Sequence, residues 1–576
     1  MRPSERQIFS PVLRTVLYWA ICVASIYCGE QLHICNQLGA KGLDNWHIYF
    51  SEAMLFASPA LFLKGRARIA SAIIASIFLL WLWADILYCR YSGISLRASL
   101  IFSPASYNVI VLKCIPYLFR KHDLLYLIAI AADWAAYIHL RPYRCPALKS
   151  AARIAAAVIP ASGYCFSTIL NVTTIFKEDF RFYGWENLAI SGTSNVFRQG
   201  GSLLYFGYDT YCTKVSRHKE LSPSELSEIK QFFDNKKPYE CDSTFMSNRE
   251  KNLIFIIVES LNSWAISLKH NGRSVTPVLD SLIQAEGTIS CLNVIPQVSM
   301  GFSADGQFIY NTGLLPLKNT VAAVTFNENK VIGLPRALEV RSAEEFICED
   351  SRAWYHAQTS RQYGYDALHD CLGQEPDYDA SLFKASGERI GAMTASQPFL
   401  AEITTLTSHF PYEQAQSDTI APWLNDYGTS DIQRHYVKAI NLFDTALGKF
   451  LRELLPVEIR DSSVIAIASD HNIGLTGENC YDITPIAFIA ANTGHTEEIA
   501  GPVGQIDIYP TLLQIMGRDR QRCHWLGESI LTYGNSSAAD IAGRLHGKSD
   551  ASSDSLKIQA WHISELIIRS GLTAEF

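Results

Sequence analysis

The chain has 576 residues, 48% of them hydrophobic, and a formal net charge of −7. That length holds two or more domains, and a mildly acidic balance without any basic stripe excludes a nucleic-acid binder. The 14 cysteines are scattered with no C-x-x-C pair, which excludes a zinc knuckle and a dense disulfide framework.

Apolar residues crowd the front of the chain. Crossing the hydrocarbon layer takes about 20 mostly apolar residues, and five windows qualify: Pro11–Cys28, His47–Leu63, Ile69–Cys89, Leu124–Leu140 and Ile154–Leu170. Their recurrence excludes a cleaved signal peptide. Lysines and arginines gather at Arg2, Arg6 and Arg14, in "KGRAR" (Lys64 to Arg68) and in "RPYRCPALKSAAR" (Arg141 to Arg153). This places the N-terminus inside and, after five crossings, the remaining chain outside. The loop Arg90–Lys121 opposes that bias, because it carries Arg90, Arg97, Lys113, Arg120 and Lys121 on the outer side. Its stretch "YNVIVLKCIPYLF" reads as an interfacial helix whose basic residues meet headgroups, or as a sixth span that returns the rest to the cytoplasm. Of the ionisable residues inside the windows, Asp85 is expected near the outer interface and Glu52 near the start of a helix.

Four segments follow from these shifts: a transmembrane helical domain (1–171), a polar, aromatic linker with helices (172–250), a globular domain (251–533) and a tail (534–576). In the linker, "LSPSELSEIKQFF" predicts a helix capped by Ser222, with Pro at its first position and Glu at its third. The globular domain opens on "NLIFIIVES", a continuous apolar run of the kind that a sheet covered on both faces requires. "PFLAEITTL", "SSVIAIASD" and "ITPIAFIA" read as further strands, and "HYVKAINLFDTALGKFLREL" has helical spacing. Strands alternating with helices predict an α/β domain with a mostly parallel sheet. The tail reads as loop through "NSSAADIAGRLHGKSDASSDS", then a short helix near Lys557–Ser570.

Two of the strands end on chemistry: the first on Glu259, "SSVIAIASDH" on Asp470 and His471. Parallel strands present their carboxyl ends along one edge, so two carboxylates and an imidazole meet there in a mixed O/N set suited to Zn²⁺ or Mn²⁺. Without that convergence, Asp470 and His471 would be a helix cap or a surface pair. "SMGFSADGQF" supplies a nucleophile: Gly301 permits a tight turn, Ser303 opens a helix and Asp305 lies in its first turn. A hydroxyl beside a divalent cation loses its proton more easily. Read alone, Ser303 is an ordinary helix cap.

Together these motifs resemble the lipoteichoic acid synthases of the alkaline phosphatase/sulfatase superfamily. "IFIIVES" is similar to the family strand that ends on a Glu ligand, "GFSADGQF" to the nucleophile segment G-x-[TS]-S-D-x-E-F, and "ASDHN" to the Asp-His pair. "YGYD" (Tyr363 to Asp366), "LTSHFPYE" (Leu406 to Glu413) and "GQIDIYPTLLQIMG" (Gly504 to Gly517) match three further motifs, and five N-terminal spans match the family architecture. The resemblance implies a sulfatase-like fold in 251–533. It implies one divalent cation, Mn²⁺ first and Zn²⁺ or Mg²⁺ as alternatives, on Glu259, Ser303, Asp470 and His471. Ser303 is then the nucleophile toward a membrane phospholipid headgroup, phosphoglycerol first, that passes to an envelope glycan or polymer. His409 binds the phosphate or serves as acid/base near the leaving oxygen, and Trp354 and His356 bind substrate. The chain departs from the family where Ser303 replaces Thr, His356 replaces Arg, Gln307 replaces an acid and Asn472 replaces Gly. A phosphoethanolamine transferase and a catalytically silent sulfatase-fold envelope protein are the alternative readings. The expected location is a bacterial cytoplasmic (inner) membrane, multi-pass, with the globular domain on the outer side.

Overall fold

The computed structural model describes residues 10–572 apart from 39–44, 93–95, 97–114, 184–196, 198–199, 211–219, 237–242, 353–354, 474–482, 519–524, 533–534 and the single positions 147, 208, 300, 319 and 429. Two compact units divide the chain near residue 212.

The first unit is helical: α1 (Pro11–Leu38), α2 (Trp46–Ala57), α3 (Pro59–Phe62), α4 (Ile69–Ser92), α5 (Leu124–Leu140) and α6 (Ser150–Tyr183). Four stretches among the described residues are long and apolar enough to cross a membrane: Pro11–Cys35, Gly65–Arg90, Lys121–Arg144 and Ser150–Leu170. The window His47–Leu63 is instead a helix broken at Ser58, because Pro59 has no amide hydrogen with which to continue the ladder. Most of "YNVIVLKCIPYLF" lies outside the described residues. Ile77, Ile128, Ile138, Ile154, Ile159 and Phe166 point outward, whereas Glu30, His33, Glu52 and Asp85 are buried. This inside-out polarity suits lipid surroundings. Glu52 lies in the middle of α2 rather than near its start, and Asp85 is buried. Glu52 accepts backbone N–H bonds from Ser202 (3.1 Å) and Leu203 (2.7 Å), and Asp85 pairs with His33 at 2.5 Å. A buried carboxylate without such partners would be expensive.

In the second unit, α7 (Pro223–Asn235) starts on Ser222, whose Oγ accepts from the Glu225 amide while the Glu225 side chain bonds back to the Ser222 amide, as the sequence predicts. The sheet comprises β1 (Asn252–Val258), β2 (Ile289–Ile295), β3 (Ser342–Ile347), β4 (Ala367–His369), β5 (Phe399–Thr404), β6 (Ser463–Ser469), β7 (Ile486–Ala491), β8 (Glu497–Ile499) and β9 (Val503–Gly504). Its order is β8-β2-β7-β6-β1-β5-β3-β4, with β9 also on β2. All described pairings within this sheet are parallel except those of β7, which runs against both β2 and β6.

The apolar runs become strands because both sheet faces are covered. Alternate residues feed two cores: Leu253, Phe255 and Ile257 of β1 pack on one face, Ile254, Ile256 and Val258 on the other. Burying each such side chain stabilises the fold by about 1.5–3 kcal/mol. The region expected as loop after residue 534 contains a short antiparallel hairpin, Ser537–Ala539 with Leu545–Gly547, too brief to give a periodic signal. The terminal helix runs Ala551–Ser570, starting earlier than expected because Asp550 caps it by accepting from the Ser553 amide.

Candidate metal centre and nucleophile

β1 and β6 lie side by side in parallel, with Val258 opposite Ser469, so Glu259 and Asp470 leave the sheet together. The Asp470 amide donates to the Val258 carbonyl (3.1 Å), which keeps the two strand ends in step. Asp470 Oδ1 accepts from the amides of Ser260 (2.7 Å) and His471 (2.6 Å), while Oδ2 is buried and bonded to no donor. The His471 Nδ1–H donates to the Asn472 carbonyl (3.0 Å), which turns Nε2 toward Glu259 Oε1 (3.4 Å) and Asp470 Oδ2 (3.5 Å). Ligand atoms of Glu259, Asp470 and His471 lie within 4.8 Å of one another, all buried.

Ser303 completes the group. It begins α8 (Ser303–Thr312), and its Oγ donates toward Glu259 Oε2 (3.1 Å) and lies 3.3 Å from His471 Nε2. The hydroxyl caps nothing, so the reading of Ser303 as an ordinary cap fails. Phe302 takes a left-handed φ of 42°, a strained state for an aromatic residue, and its ring meets the His471 ring edge-on at 5.3 Å. Asp305 Oδ2 accepts from the Ser299 and Gly301 amides, both at 2.9 Å, and pins the turn before Ser303. The positive end of α8 favours charge developing on Ser303.

The electrostatics call for a cation. Burial pushes the Glu259 carboxyl up, but the charged His471 ring beside it prevails and holds it well below the usual carboxylate range. Burial and the Glu259 charge push Asp470 up to about 7. Burial would lower His471, yet Asp470 and Glu259 raise it to about 10. A proton on His471 therefore balances two buried acids. The partnerless Asp470 Oδ2, a turned-in Nε2 and a second carboxylate fit a divalent cation of the Mn²⁺ or Zn²⁺ type, which would take that proton's place.

His409 joins this edge: its neighbour Ser408 donates to the Glu259 carbonyl (2.5 Å), and its own Nδ1–H donates to the Phe410 carbonyl (2.5 Å). His356 stands apart from the cluster, with Nε2 on Glu345 Oε1 at 2.5 Å. Trp354 lies outside the described residues.

Sequence reasoning missed the residues that hold this group. The Thr405 hydroxyl accepts from the Glu259 amide (3.1 Å), Gln505 Nε2 donates to the Asp470 carbonyl (2.7 Å), and Tyr436 OH donates to the Ser260 carbonyl (2.8 Å). Gln505 stands inside the "GQIDIYP" stretch, so a signal existed. Tyr436 stands in a helix whose pattern reads only as core. Gly306 is also required: a Cβ there would collide with the Asp470 carbonyl. Gly306→Ala is expected to destabilise the domain by about 1–3 kcal/mol, read from urea unfolding.

The protein-family profile described as Sulfatase matches residues 310–518. Lipoteichoic acid synthase 1 of Bacillus subtilis (strain 168) is 25% identical over 567 residues, covering 89% of this chain and 83% of that protein. Lipoteichoic acid synthase of Staphylococcus saprophyticus is 26% identical over 337 residues, covering 54% of this chain and 52% of that protein. The chain thus spans most of the first relative's length and about half of the second's. The crystal structure of the lipoteichoic acid synthase LtaP from Listeria monocytogenes superposes with a TM-score of 0.50 at 21% identity, covering 60% of this chain and all of that one, and so shares the fold. The chain thus carries a sulfatase match over residues 310–518, is similar to lipoteichoic acid synthases along most of its length and shares the fold of one of them.

Proposed function

We propose that this phosphotransferase moves the phosphoglycerol headgroup of a membrane phospholipid, through a covalent bond to Ser303, onto a hydroxyl of an envelope glycan or polymer. The observation that carries the reading is the position of Ser303 Oγ, 3.1 Å from Glu259 Oε2 and 3.3 Å from His471 Nε2, at the buried cluster of two carboxylates and an imidazole. Glu259, Ser303, Asp470 and His471 would hold one divalent ion, Mn²⁺ first, which when bound lowers the hydroxyl pKa and offsets charge on the phosphoryl oxygens.

The chain's own residues then do the following. Ser303 Oγ forms a bond to phosphorus as the bond from phosphorus to the diacylglycerol oxygen breaks. The serine proton is aimed at Glu259 Oε2, and the departing oxygen takes a proton from His409 Nε2, the ring nitrogen that is not bonded to the Phe410 carbonyl. In the second half the acceptor oxygen bonds to phosphorus as the bond from phosphorus to Ser303 Oγ breaks; the acceptor hydroxyl gives its proton to His409, and the proton sent to Glu259 returns to Ser303 Oγ. The dry cluster lets these charges act strongly.

The topology we propose is multi-pass, with an inside N-terminus, a transmembrane part over 1–171 in which the broken pair α2 and α3 makes the fifth crossing beside the four long apolar helices, a linker over 172–250 and the sulfatase-like domain of 251–533 on the outer face of a cytoplasmic membrane, followed by a tail over 534–576. The outward Ile and Phe side chains of α4, α5 and α6 support the membrane part.

The test is incubation with labelled phosphatidylglycerol and phosphatidylethanolamine, followed by mass spectrometry of the Ser303 peptide. A glycerol-phosphate adduct is expected. An ethanolamine-phosphate adduct would make the protein a phosphoethanolamine transferase, and no adduct with either lipid would leave a silent sulfatase-fold protein.

A further inference from the structure

Beneath the nucleophile, α8 lays a file of polar side chains on the sheet. Ser303, Gln307 and Asn311 recur every four residues, about 6 Å apart, which matches two residues of strand. Ser303 meets Glu259, Gln307 Nε2 donates to Thr404 Oγ1 (2.8 Å), and Asn311 Nδ2 donates to Glu402 Oε2 (3.0 Å). Tyr365 OH also donates to Glu402 Oε2 (2.6 Å). In the parallel register of β3 and β5, Glu345 stands directly opposite Glu402, so both carboxyls enter the same buried layer.

Glu345 is 1% exposed; its Oε1 holds His356 Nε2 at 2.5 Å, and its Oε2 is buried with no partner. His356 opens α9 (His356–Tyr363), and its side chain is 16% exposed, so the row reaches solvent through this imidazole. The carboxyl ends of β1, β5 and β3 share one edge, and β3 lies two strands, about 10 Å, from β1. His356 is thus tied from below by a buried acid that has no other partner to satisfy it.

We propose that Glu345 is a positioning residue for donor recognition, holding His356 as an imidazolium so that this position offers the donor phosphate a cation that titrates. The inference rests on the phospholipid-transferase reading above. It differs from a fixed guanidinium in kind: an arginine there would be charged at every working pH and would grip phosphate with two parallel bonds. Burial lowers the His356 pKa, but Glu345 outweighs it and raises the ring, with Glu349 adding to it and Glu402, itself pushed up to about 8 by burial and the Glu345 charge, adding to it where it is ionised. The other titratable groups facing the pair are the phenols of Tyr363 and Tyr365, with Asp305 of α8 acting on Tyr363. Among the described residues no lysine or arginine bonds to either member. A raised imidazole is charged below its folded pKa and loses that charge above it, so donor binding weakens as pH rises through that point.

The experiment measures binding of glycerophosphoglycerol, a diester whose own charge is constant, to the full chain in detergent micelles with saturating manganese from pH 6.5 to 9. The wild type is expected to weaken tenfold or more across its inflection. Glu345→Gln moves that inflection down by roughly one pH unit. His356→Arg abolishes it, leaving the affinity at pH 9 within threefold of that at pH 6.5. An inflection that Glu345→Gln does not move, or wild-type binding that is flat or undetectable, overturns the proposal. If Glu345→Gln does not fold, an inflection that survives in His356→Arg overturns it equally. The adduct assay reads the transferase proposal separately: titrating binding with no Ser303 adduct sinks that reading, and an adduct with pH-independent binding sinks only this one.

Discussion

Asp470→Asn will leave the domain folded yet unable to retain a divalent cation, and turnover will fall about 10³-fold or more. The reasoning starts from charge. Two buried carboxylates and one imidazole sit within 4.8 Å of one another, and Asp470 Oδ2 has no donor. Replacing that oxygen with an amide removes the negative charge that attracts the cation and adds a donor beside a ligand position. The same change relieves the burial of charge and the repulsion from Glu259 that together push Asp470 up to about 7, so the metal-free domain should be at least as stable as wild type. Added Mn²⁺ at 100 times its Kd should then stabilise the wild type by about 2.7 kcal/mol and the variant by nothing. The readouts are metal content after desalting and urea unfolding with and without a chelator. The pH dependence has a fixed sign. His471, raised to about 10, carries a proton at neutral pH that the metal must displace. Metal affinity therefore strengthens about tenfold for each pH unit gained between about 7, above which Asp470 is ionised, and that value, and levels off above it. Affinity independent of pH between 7 and 9 would show that His471 is not a ligand.

The sequence announced the strand ends clearly, because Glu259, Asp470 and His471 each close an uninterrupted apolar run, and only a sheet covered on both faces needs such runs. Ser303 was legible from the glycine before it and the acid after it. The partners that make those residues reactive were hidden. Asp470 is short of a donor only because its other oxygen is taken by the Ser260 and His471 amides, a fact of three dimensions. The pairing of Glu345 with Glu402 depends on the register of two parallel strands joined through more than fifty residues, and no local pattern encodes that register. The reversal of β7 was equally silent, since a strand buried on both faces reads the same in either direction. The break at Pro59 was visible as a residue but was outvoted by the length of the apolar window around it.

The second large effect concerns the hydroxyl itself. Ser303→Ala is expected to abolish the phosphoryl-enzyme adduct and cut turnover by about 10⁴-fold or more, with unfolding unchanged within about 0.5 kcal/mol. Stability should hold because the Ser303 hydroxyl caps no amide of α8, so its loss leaves the helix start as it was. Manganese retention should fall only modestly, because Glu259, Asp470 and His471 remain. Ser303→Thr separates chemistry from mere presence of a polar atom. It keeps an alcohol at the first position of α8 and adds one methyl where the serine is only partly buried. If the oxygen is the nucleophile, the Ser303→Thr variant should support turnover within about tenfold of wild type, since one methyl on a half-buried side chain costs about 1 kcal/mol, the low end for an added methyl. The two variants together are decisive. An adduct that persists in Ser303→Ala moves the nucleophile elsewhere, and a threonine as inactive as alanine would mean that Ser303 serves the turn that Phe302 and Asp305 build rather than the phosphorus.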